Sequence, residues 1–369
     1  MPIYMDRHDV SETVTAEHIA QLHQEDLKVQ KQFGCRGLTY WFDDIRKTAF
    51  CLIEAPNPDA LKEMHDHAHG QVPHRIIEVD PNIVESFLGR IEDPEKSKNT
   101  ELNIINDAAF RIIMVVSFNR WSLDEDHPAF GELFEKFKKD LKKILKDHEG
   151  NLVTQTDFYS LISFKSVSQA ILSANSIQVL KKDFNIKGIK DKIELKIGLN
   201  AGVPVTNQKS IFEDTIKLAD RMCQIVKGEI IVSAEVKDLY HRENSNASLK
   251  GKYIYALNQA DEKFITQLMD YTEKAWRDSE LKVDQYIKPL GCSKSQFYRK
   301  MVLLTGESPN SFIMNYRLKE ALKLLRKKAG NVSEIAFKTG FSSPSYFTKC
   351  FKSKFGVLPA GYLVAMQKQ

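Results

Sequence analysis

Residues Val332–Gly356 read VSEIAFKTGFSSPSYFTKCFKSKFG, and this segment carries clear signals for where helices begin and end. An apolar stripe of helical period ends at Gly340, which tolerates the positive φ of a tight turn between two helices. Ser343 then stands at a helix N-cap position, and Pro344 opens the next helix, where a missing N–H is harmless. The segment therefore predicts two short helices joined by a tight turn, a helix-turn-helix unit.

A second unit of the same kind lies upstream and reads VDQYIKPLGCSKSQFYRKMVLLTG, Val283–Gly306. Its turn glycine is Gly291 and its capping serine is Ser293. Between the two units, SPNSFIMNYRLKEALKLLRKKAG has the apolar spacing of a single helix. Such a rigid helix would hold the two units one turn of DNA, ~34 Å, apart.

The second helix of each unit has an apolar and a polar face. Phe297 and Met301 are four residues apart, as are Phe347 and Phe351, so both pairs are predicted to face the core. A helix fits the major groove, where Arg or Lys can bond guanine O6 and N7. The side chains predicted to read bases are Ser295, Tyr298, Arg299, Ser345, Tyr346 and Lys349. Those predicted to contact phosphates are Lys294, Lys300 and Lys352.

Charge is divided unevenly along the chain. From Lys282 to Gln369, thirteen lysines and three arginines face one aspartate and three glutamates, a net charge of +12. The whole chain carries +4, so the remainder carries −8. A basic module joined to an acidic body is typical of a nucleic-acid binder with a regulatory part, although a solvated basic helix face would give the same charge.

The composition narrows the class of protein. The chain has 42% hydrophobic and 28% charged residues, which is typical of globular domains. No apolar run approaches the ~20 residues of a membrane-spanning helix, and MPIYMDRHDV lacks the features of a secretory signal. Five scattered cysteines without a CxxC pair argue against a disulfide framework or a cysteine zinc site. A cytoplasmic protein without a membrane partner is therefore expected.

The C-terminal region resembles the AraC/XylS family of bacterial regulators over Phe264–Tyr362. The matching pieces are SKSQFYRKM, NYRLKEALKLL and SEIAFKTGFSSPSYFTKCFKSKFGVLPAGY. The resemblance implies two helix-turn-helix units that enter adjacent major grooves of double-stranded DNA. Two positions depart from the family pattern, which often has Arg where Leu363 stands and Phe where Met301 stands. A helical bundle that binds protein is the alternative.

Two mixed α/β segments precede this region, so the predicted fold is multidomain: two ferredoxin-like α/β domains followed by an all-α double helix-turn-helix domain. Residues 1–94 show the order βαββαβ. A polar stretch, 95–108, is predicted to be a linker. Residues 109–258 again alternate strand and helix, and from 261 to 369 the pattern is helical.

Histidines crowd the end of the second N-terminal helix, in MHDHAHGQVPH. The candidate metal ligands are His65, His67, His69, His74 and, at the end of the first strand, His8. His65 and His69 are four residues apart on one helical face, which suits two imidazoles sharing a nickel, copper or zinc ion. Asp66 is a candidate hydrogen-bond partner for a ligand. Alternatively, the histidines simply favour the helix dipole at that end.

The same segment resembles a small ferredoxin-like family described as nickel-binding, over Met1–Pro94. The matching pieces are MPIYMDRHDV, GCRGLTYWFDD, AFCLIEAPNPDALKEMHDHAHG and VPHRIIEVDPNIVESFLGRIEDP. The resemblance implies binding of Ni²⁺ or another divalent transition metal, without assigning the ligands.

The middle segment resembles the class III nucleotide cyclase domain over Phe110–Tyr240, through LKIGLNAGVPV and FEDTIKLADRMCQIVKGEIIVSAEV. Catalysis in that family needs two aspartates that hold two metal ions. Near the first position stand Ser117 and Asn119, with no carboxylate. Asp157 fits the second, Lys217 replaces an asparagine, and only Arg221 matches. The segment is therefore predicted to be a cyclase fold without catalysis, used for dimerisation or ligand sensing.

Together these features predict a homodimeric, non-enzymatic transcription regulator, whose front domains bind a metal or small-molecule effector and whose tail binds DNA. One alternative is a nucleotide cyclase with a DNA-binding appendage, which the missing carboxylate disfavours. Another is a metal buffer, which the basic tail disfavours.

Overall fold

The computed structural model describes residues 1–94, 102–120, 128–184, 193–245, 249 and 253–365. Within them the predicted fold class is confirmed: two α/β regions, each with its own sheet, are followed by a helical C-terminal region. None of the helices in these ranges is long and apolar enough to cross a bilayer.

The N-terminal sheet has four strands in the order β2-β3-β1-β4, and its paired strands run antiparallel. Thr15 and Asn57 cap the two longer helices through side chains that accept backbone N–H bonds, and Gly70 ends the second at φ 72°. These signals produce the predicted βαββαβ order. The elements are β1 (Ile3–Asp9), α1 (Ala16–Val29), β2 (Arg36–Asp43), β3 (Thr48–Glu54), α2 (Pro58–His69), β4 (Arg75–Val79) and an additional helix, α3 (Pro81–Leu88).

The two faces of this sheet are buried against different layers. Tyr40 and Phe42 pack beneath α1 and α2 together with Leu61. Trp41 and Phe50 point the other way into a core shared with the middle region, as the alternation of side chains along a strand requires. The N-terminal and middle regions therefore share one apolar core.

The predicted linker falls partly outside the described residues, which resume at Leu102. Ile105 is buried, its N–H donates to the Tyr40 hydroxyl at 2.9 Å, and that hydroxyl donates to the Asn103 carbonyl at 2.8 Å. Residues 102–108 thus run along the N-terminal sheet. The domain limits themselves stay a prediction.

The middle sheet has six strands in the order β10-β9-β8-β5-β7-β6, with β8, β9 and β10 parallel and the others antiparallel. Helices α4, α5 and α7 cover one face, and α6 covers the other. Its elements are β5 (Arg111–Arg120), α4 (Pro128–Asp147), β6 (Asn151–Gln155), β7 (Tyr159–Phe164), α5 (Val167–Leu180), β8 (Ile193–Gly202), α6 (Glu213–Ile225), β9 (Ile230–Val232), α7 (Ala234–Glu243) and β10 (Ile254–Ala256).

The C-terminal region forms two helix-turn-helix units, α9–α10 and α12–α13, joined by the single helix α11. The predicted caps are confirmed: the Ser293 side chain accepts from Gln296 N–H, and that of Ser343 from Tyr346 N–H. The helices are α8 (Gln259–Ala275), α9 (Asp284–Leu290), α10 (Lys294–Thr305), α11 (Pro309–Arg326), α12 (Val332–Lys338), α13 (Pro344–Phe355) and α14 (Pro359–Ala365). With eighteen residues, α11 is ~27 Å long.

The two units are attached differently. The first shares an apolar core with α8 and with the middle region, in which Met222 and Ile231 meet Phe297 and Phe312. The second has its own core, which centres on Phe347 and Phe351. The first unit is therefore anchored on the middle sheet, and α11 carries the second.

Candidate nucleic-acid interface and metal centre

In the first unit, α10 separates its two faces as the sequence predicts. Phe297 and Met301 are buried, whereas Ser295 and Arg299 are exposed. Tyr298 is half-buried and packs against the shared core. A polar stripe that includes a guanidinium thus lies open to a partner.

The two predicted phosphate contacts of α10 already have protein partners. Lys294 Nζ lies 2.8 Å from Asp284 Oδ1, and this hydrogen bond raises the pKa of the ammonium, which remains largely exposed. Lys300 points toward α8, where Nζ donates to the Ala260 carbonyl at 3.2 Å and lies 3.6 Å from Asp261. Lys294 is accordingly open to an anion from solvent, while Lys300 also fastens α10 to α8.

The second unit presents the equivalent face on α13. Phe347 and Phe351 are fully buried, whereas Ser345, Lys349 and Lys352 are exposed. The Tyr346 side chain is 54% exposed, an unusual exposure for an aromatic ring. The predicted reading residues of this unit therefore all lie on one accessible surface.

The turn of the second unit requires a glycine at position 340. Gly340 has φ +76°, and a Cβ there would lie 2.6 Å from the Trp276 carbonyl oxygen and 2.9 Å from Arg317 Nε. Arg317 in turn donates from Nε to that same carbonyl at 2.8 Å. Only glycine fits this backbone conformation and this close approach, so the second unit is held against the end of α8.

In the N-terminal domain, three of the five predicted metal ligands converge. His65 and His69 project from α2, and His8 reaches them from β1; His65 and His8 are buried and His69 is half-buried. The His8 and His65 rings meet edge to face at 5.1 Å, and those of His65 and His69 at 5.3 Å. The predicted pairing of His65 with His69 on one helical face thus brings imidazoles together in the structure.

The other two predicted ligands lie elsewhere. His67 is exposed and its ring packs on Phe33 at 5.5 Å. His74 Nδ1 accepts a hydrogen bond from the Asp9 backbone N–H at 3.1 Å. Asp66 is exposed. These three side chains are not in either group of ligand atoms found among the described residues.

Those two groups include residues that the sequence did not single out. One consists of Asp6, His8, Cys51 and His65, and the other of Asp26, His65 and His69; within each, the ligand atoms lie within 4.8 Å of one another. A signal existed for Asp6, because it is two residues before His8 on β1 and so shares its face. Asp26 and Cys51 reach the site through tertiary packing.

His65 lies between two carboxylates. Its Nε2 is 2.9 Å from Asp6 Oδ2, and its Nδ1 is 3.0 Å from Asp26 Oδ1. Burial alone would lower the pKa of His65, but the hydrogen bonds to Asp26 and Asp6 outweigh it and raise that pKa to about 10. Both ring nitrogens therefore carry protons in the metal-free protein, and binding of a metal to either one must displace a proton.

The carboxylates are charged despite their burial. Desolvation would raise the pKa of Asp6, yet His8 and His65 hold it far below its usual range. Burial would also raise the pKa of Asp26, but its hydrogen bonds with His65 and His69 outweigh burial and lower that pKa. Burial, with Asp6 nearby, raises the pKa of the Cys51 thiol well above normal. The group thus offers imidazole nitrogens and carboxylate oxygens, with a protonated thiol beside them.

A cavity of about 450 Å³ opens onto this cluster. His8, Asp26, His65 and His69 line one side, and apolar side chains such as Val14 line another. The cluster is therefore accessible to a small solute despite the burial of its individual groups.

Arg221, which the sequence matched to the cyclase pattern, lies on α6 and contacts the C-terminal region. Arg221 is buried, and Nη2 donates to Asp270 at 2.6 Å and to Glu273 at 2.9 Å, both on α8. Asp157 is exposed and pairs with Lys138 at 2.7 Å. Ser117 is half-buried on β5, and the side chain of Asn119 lies outside the described residues.

Comparison with known proteins assigns both ends of the chain. The family model described as a helix-turn-helix domain matches residues 286–364. Residues 286–364 are an AraC-type helix-turn-helix domain. The family model described as nickel responsive protein SCO4226-like matches residues 4–79. The two resemblances drawn from the sequence at the ends of the chain are confirmed.

Among curated relatives, the HTH-type transcriptional regulator MtrA of Neisseria gonorrhoeae is 31% identical over 98 residues, which cover 27% of this chain and 31% of that protein. Histidine kinase P4 of Formosa agariphila is 24% identical over 249 residues, which cover 64% of this chain and 17% of the kinase. The chain therefore spans less than a third of either relative.

Among solved structures, an adenylate/guanylate cyclase/hydrolase from Silicibacter pomeroyi is similar at 20% identity with a TM-score of 0.32, covering 37% of this chain and 83% of that one. The chain thus joins an SCO4226-like domain at its N-terminal end to an AraC-type helix-turn-helix domain at its C-terminal end.

Proposed function

We propose that this protein is a transcription regulator that binds specific sequences of double-stranded DNA and responds to nickel or another divalent transition metal. The observation that supports it most is the pair of helix-turn-helix units, each with a buried aromatic face and an exposed polar face on its second helix. Arg299 and Lys349 lie on those exposed faces and are chemically suited to guanine O6 and N7.

The electrostatics of the chain support DNA as the partner. The +12 charge of the last 88 residues matches the phosphate backbone, which supplies most of the affinity in a salt-dependent way. Lys352 and Lys294, both exposed, contribute to this affinity. Two units on one ~27 Å helix suit successive major grooves on one face of the duplex.

The N-terminal cluster fits a divalent metal ion. His8 Nε2 is buried, and its contact with Asp6 Oδ1 at 3.4 Å lacks the geometry of a hydrogen bond, so a role as metal ligand would satisfy this polar atom. His8, His65 and His69 with Asp6 and Asp26 form a nitrogen and oxygen donor set that suits nickel or zinc. A bound ion would supply positive charge between the two carboxylates, where His65 now supplies it.

A packed route leads from this cluster to the DNA-binding units. The N-terminal sheet shares a core with the middle sheet, and the middle sheet shares a second core with α8 and the first unit. A change at α2 would reach α10 through the strands of the N-terminal sheet, which separate the core beneath α2 from the core shared with the middle sheet. Dimerisation through the front domains would bring two tails to tandem half-sites and raise their effective concentration.

We propose further that the middle region does not catalyse nucleotide cyclisation. Ser117 and Asn119, near the position where the first metal carboxylate is expected, provide no carboxylate, and Arg221 is engaged by Asp270 and Glu273. Incubation with ATP or GTP and Mn²⁺ should give no cyclic nucleotide; robust formation would establish the cyclase alternative instead. Action in the cytoplasm follows from the proposed DNA target.

Selection from a random duplex library with the full chain tests the proposal. An enriched motif should contain two elements spaced by about one helical turn, 10–10.5 bp. Added NiCl2 should change the affinity for that motif, and His69→Ala should abolish this response while keeping the motif. Lack of salt-sensitive association with any duplex contradicts the DNA proposal, and nickel binding no tighter than high micromolar contradicts the metal proposal.

A further inference from the structure

Two neighbouring strands place a carboxylate, an imidazole and a thiol on one face of the N-terminal sheet. Strands β1 and β3 pair with Met5 opposite Leu52, so the next positions along them, Asp6 and Cys51, are opposite each other as well. The Cys51 backbone N–H donates to Asp6 Oδ1 at 2.9 Å. His8 is two positions from Asp6 on β1 and shares its face. The strand pairing alone thus brings three possible metal ligands together.

Helix α2 supplies a fourth ligand from above this face. His65 is 1% exposed, and its Nε2 lies 2.9 Å from Asp6 Oδ2. The four ligand atoms of the group lie within 4.8 Å of one another, and all four residues are buried: Asp6, His8, Cys51 and His65. Four nitrogen, oxygen and sulfur donors held by two strands and a helix match the tetrahedral coordination that zinc adopts in proteins.

The second group, Asp26, His65 and His69, fits a supporting role. His65 Nδ1, the ring nitrogen that faces away from Asp6, lies 3.0 Å from Asp26 Oδ1, and His69 Nε2 lies 3.2 Å from the same oxygen. A histidine that binds a metal commonly donates its other N–H to a carboxylate, which fixes the ring and strengthens it as a ligand. An ion at His65 Nε2 keeps this hydrogen bond, whereas an ion at Nδ1 would break it.

The cavity beside the cluster provides a route of entry for an ion. His8, Cys51 and His65 line this cavity of about 450 Å³, and Asp6, which is 0% exposed, lies behind them. None of the described residues that line the cavity is a lysine or an arginine, so no fixed ammonium or guanidinium there repels a cation. The sulfur of Cys51 is therefore within reach of an ion that enters from solvent.

We propose that the divalent metal ion is bound by one of the two groups: Asp6, His8, Cys51 and His65. The Cys51 sulfur binds as a thiolate, and Asp26 holds His65 from behind. This inference rests on the proposed metal response and assigns its ligands. As the ion binds, Cys51 Sγ and His65 Nε2 each release a proton to solvent. Because magnesium and manganese prefer oxygen ligands, a thiolate makes the site selective for zinc, nickel or copper over them.

Titration of the full chain with CoCl2 in oxygen-free, reducing buffer tests the inference by absorption spectroscopy. A cobalt–thiolate bond gives a charge-transfer band in the near ultraviolet, and this band should appear as Co²⁺ binds. Cys51→Ser should abolish the band and weaken Co²⁺ binding at least about tenfold, a loss of about 1.4 kcal/mol. Cys35→Ser is the matched control, because Cys35 is a buried cysteine of the same domain but belongs to neither group; it should keep both the band and the affinity.

Two further variants separate the ligands from the residues that support them. Asp26→Asn and His69→Ala should each weaken Co²⁺ binding, because the hydrogen bonds behind His65 are lost. Both should nevertheless keep the charge-transfer band of the Co²⁺ that they bind, since the sulfur stays bound to the ion. A loss of packing alone would not predict this separation of affinity from spectrum.

Several results would overturn the inference. Co²⁺ binding to the parent chain without the band would exclude a thiolate ligand and leave the metal proposal standing. A band that persists in Cys51→Ser would assign the sulfur to another cysteine. Loss of the band in His69→Ala that still binds Co²⁺ would place the ion in the other group. A parent chain that binds neither Co²⁺ nor Ni²⁺ contradicts both proposals. The spectrum of the parent needs no variant, and Cys51→Ala replaces Cys51→Ser if urea unfolding shows that the serine variant does not fold.

Discussion

The guanidinium of Arg221 lies 2.6 Å from the carboxylate of Asp270 and joins α6 of the middle sheet to α8 of the C-terminal region. The arginine is 3% exposed, whereas its partner is 44% exposed. Desolvation opposes a charged Asp270, but Arg221 prevails and lowers the pKa of that carboxyl. Arg221 thus fastens the C-terminal helical region to the middle region.

Replacing Arg221 by methionine, which keeps the aliphatic bulk, should lower the free energy of unfolding by about 1–3 kcal/mol, because the hydrogen bonds of a buried charged group are lost. The urea midpoint measures this. Lys217→Met is the matched control: Lys217 faces the same Asp270 at 3.4 Å but is 50% exposed, so its loss should cost less than about 1 kcal/mol. Equal midpoints for Arg221→Met and the parent would show that the ion pair does not hold the interface.

Replacing His69 by alanine should weaken Ni²⁺ binding at least about tenfold, since one imidazole beside Asp26 and His65 is removed. Asp26→Asn should weaken it as well, without removing a ring. His67→Ala is the matched control, because His67 lies on the same helix but packs on Phe33 outside the cluster. Calorimetric titration separates them, and an equal loss in His67→Ala would mean that the ion binds at the exposed end of α2.

The sequence predicts what is local in this molecule. Gly340, Ser343 and Pro344 lie within five positions of one another, and the helix they begin follows from backbone φ, capping and a missing N–H. The His65 and His69 pair follows likewise from helical spacing. Such features need no knowledge of the tertiary fold.

Contacts between segments that are distant in the sequence cannot be predicted from local spacing. Asp26 is 39 residues from His65 and Asp6 is 59 residues from it, so neither carboxylate has a spacing signal relative to His65, and only the alternation of Asp6 with His8 on β1 pointed to this site. Lys300 was expected to face phosphate, yet it also bonds α8 at Ala260, 40 residues away. Packing between domains determines these partners.

Replacing Arg299 by alanine should weaken the best DNA site by about 1–3 kcal/mol and relax preference at one base position. The exposed guanidinium on α10 is the reason, because only a base contact carries sequence information. Competition binding against a library of single-base variants measures both effects. An equal loss of affinity for all the DNA variants would indicate that Arg299 contacts the phosphate backbone instead of a base.

Replacing Lys352 by alanine should weaken every DNA sequence equally and reduce the slope of log affinity against log salt by about 1. The lysine is exposed near the end of α13, and we expect it to neutralise a phosphate without touching a base. Affinities at three salt concentrations give the slope. Lys142→Ala on α4 should leave this slope unchanged. An unchanged slope in Lys352→Ala would show that Lys352 does not contact the DNA.

The pH dependence of stability tests the burial of the Lys319 ammonium, which is the main cause of its lowered pKa. Its pKa is about 8 in the folded chain, against an ordinary 10.5, so between these values the unfolded chain binds the additional proton. The free energy of unfolding should therefore rise with pH across this window by at most about 1.4 kcal/mol per pH unit from this group. Lys319→Met removes the contribution.

The variant should exceed the parent in stability at pH 7, where the folded parent must keep Lys319 charged beside Lys196. The stability difference between variant and parent should shrink as the pH is raised from 8 toward 10.5, because Lys319 of the folded parent is then neutral and no longer a buried charge. Urea unfolding of both chains at pH 7 and pH 10 gives the difference between their free energies of unfolding. The other titrating groups are the same in both chains, so their contributions cancel in this difference. The exposed Lys142→Met should show no such trend, and a constant difference for Lys319→Met would mean that the Lys319 ammonium is solvated rather than buried.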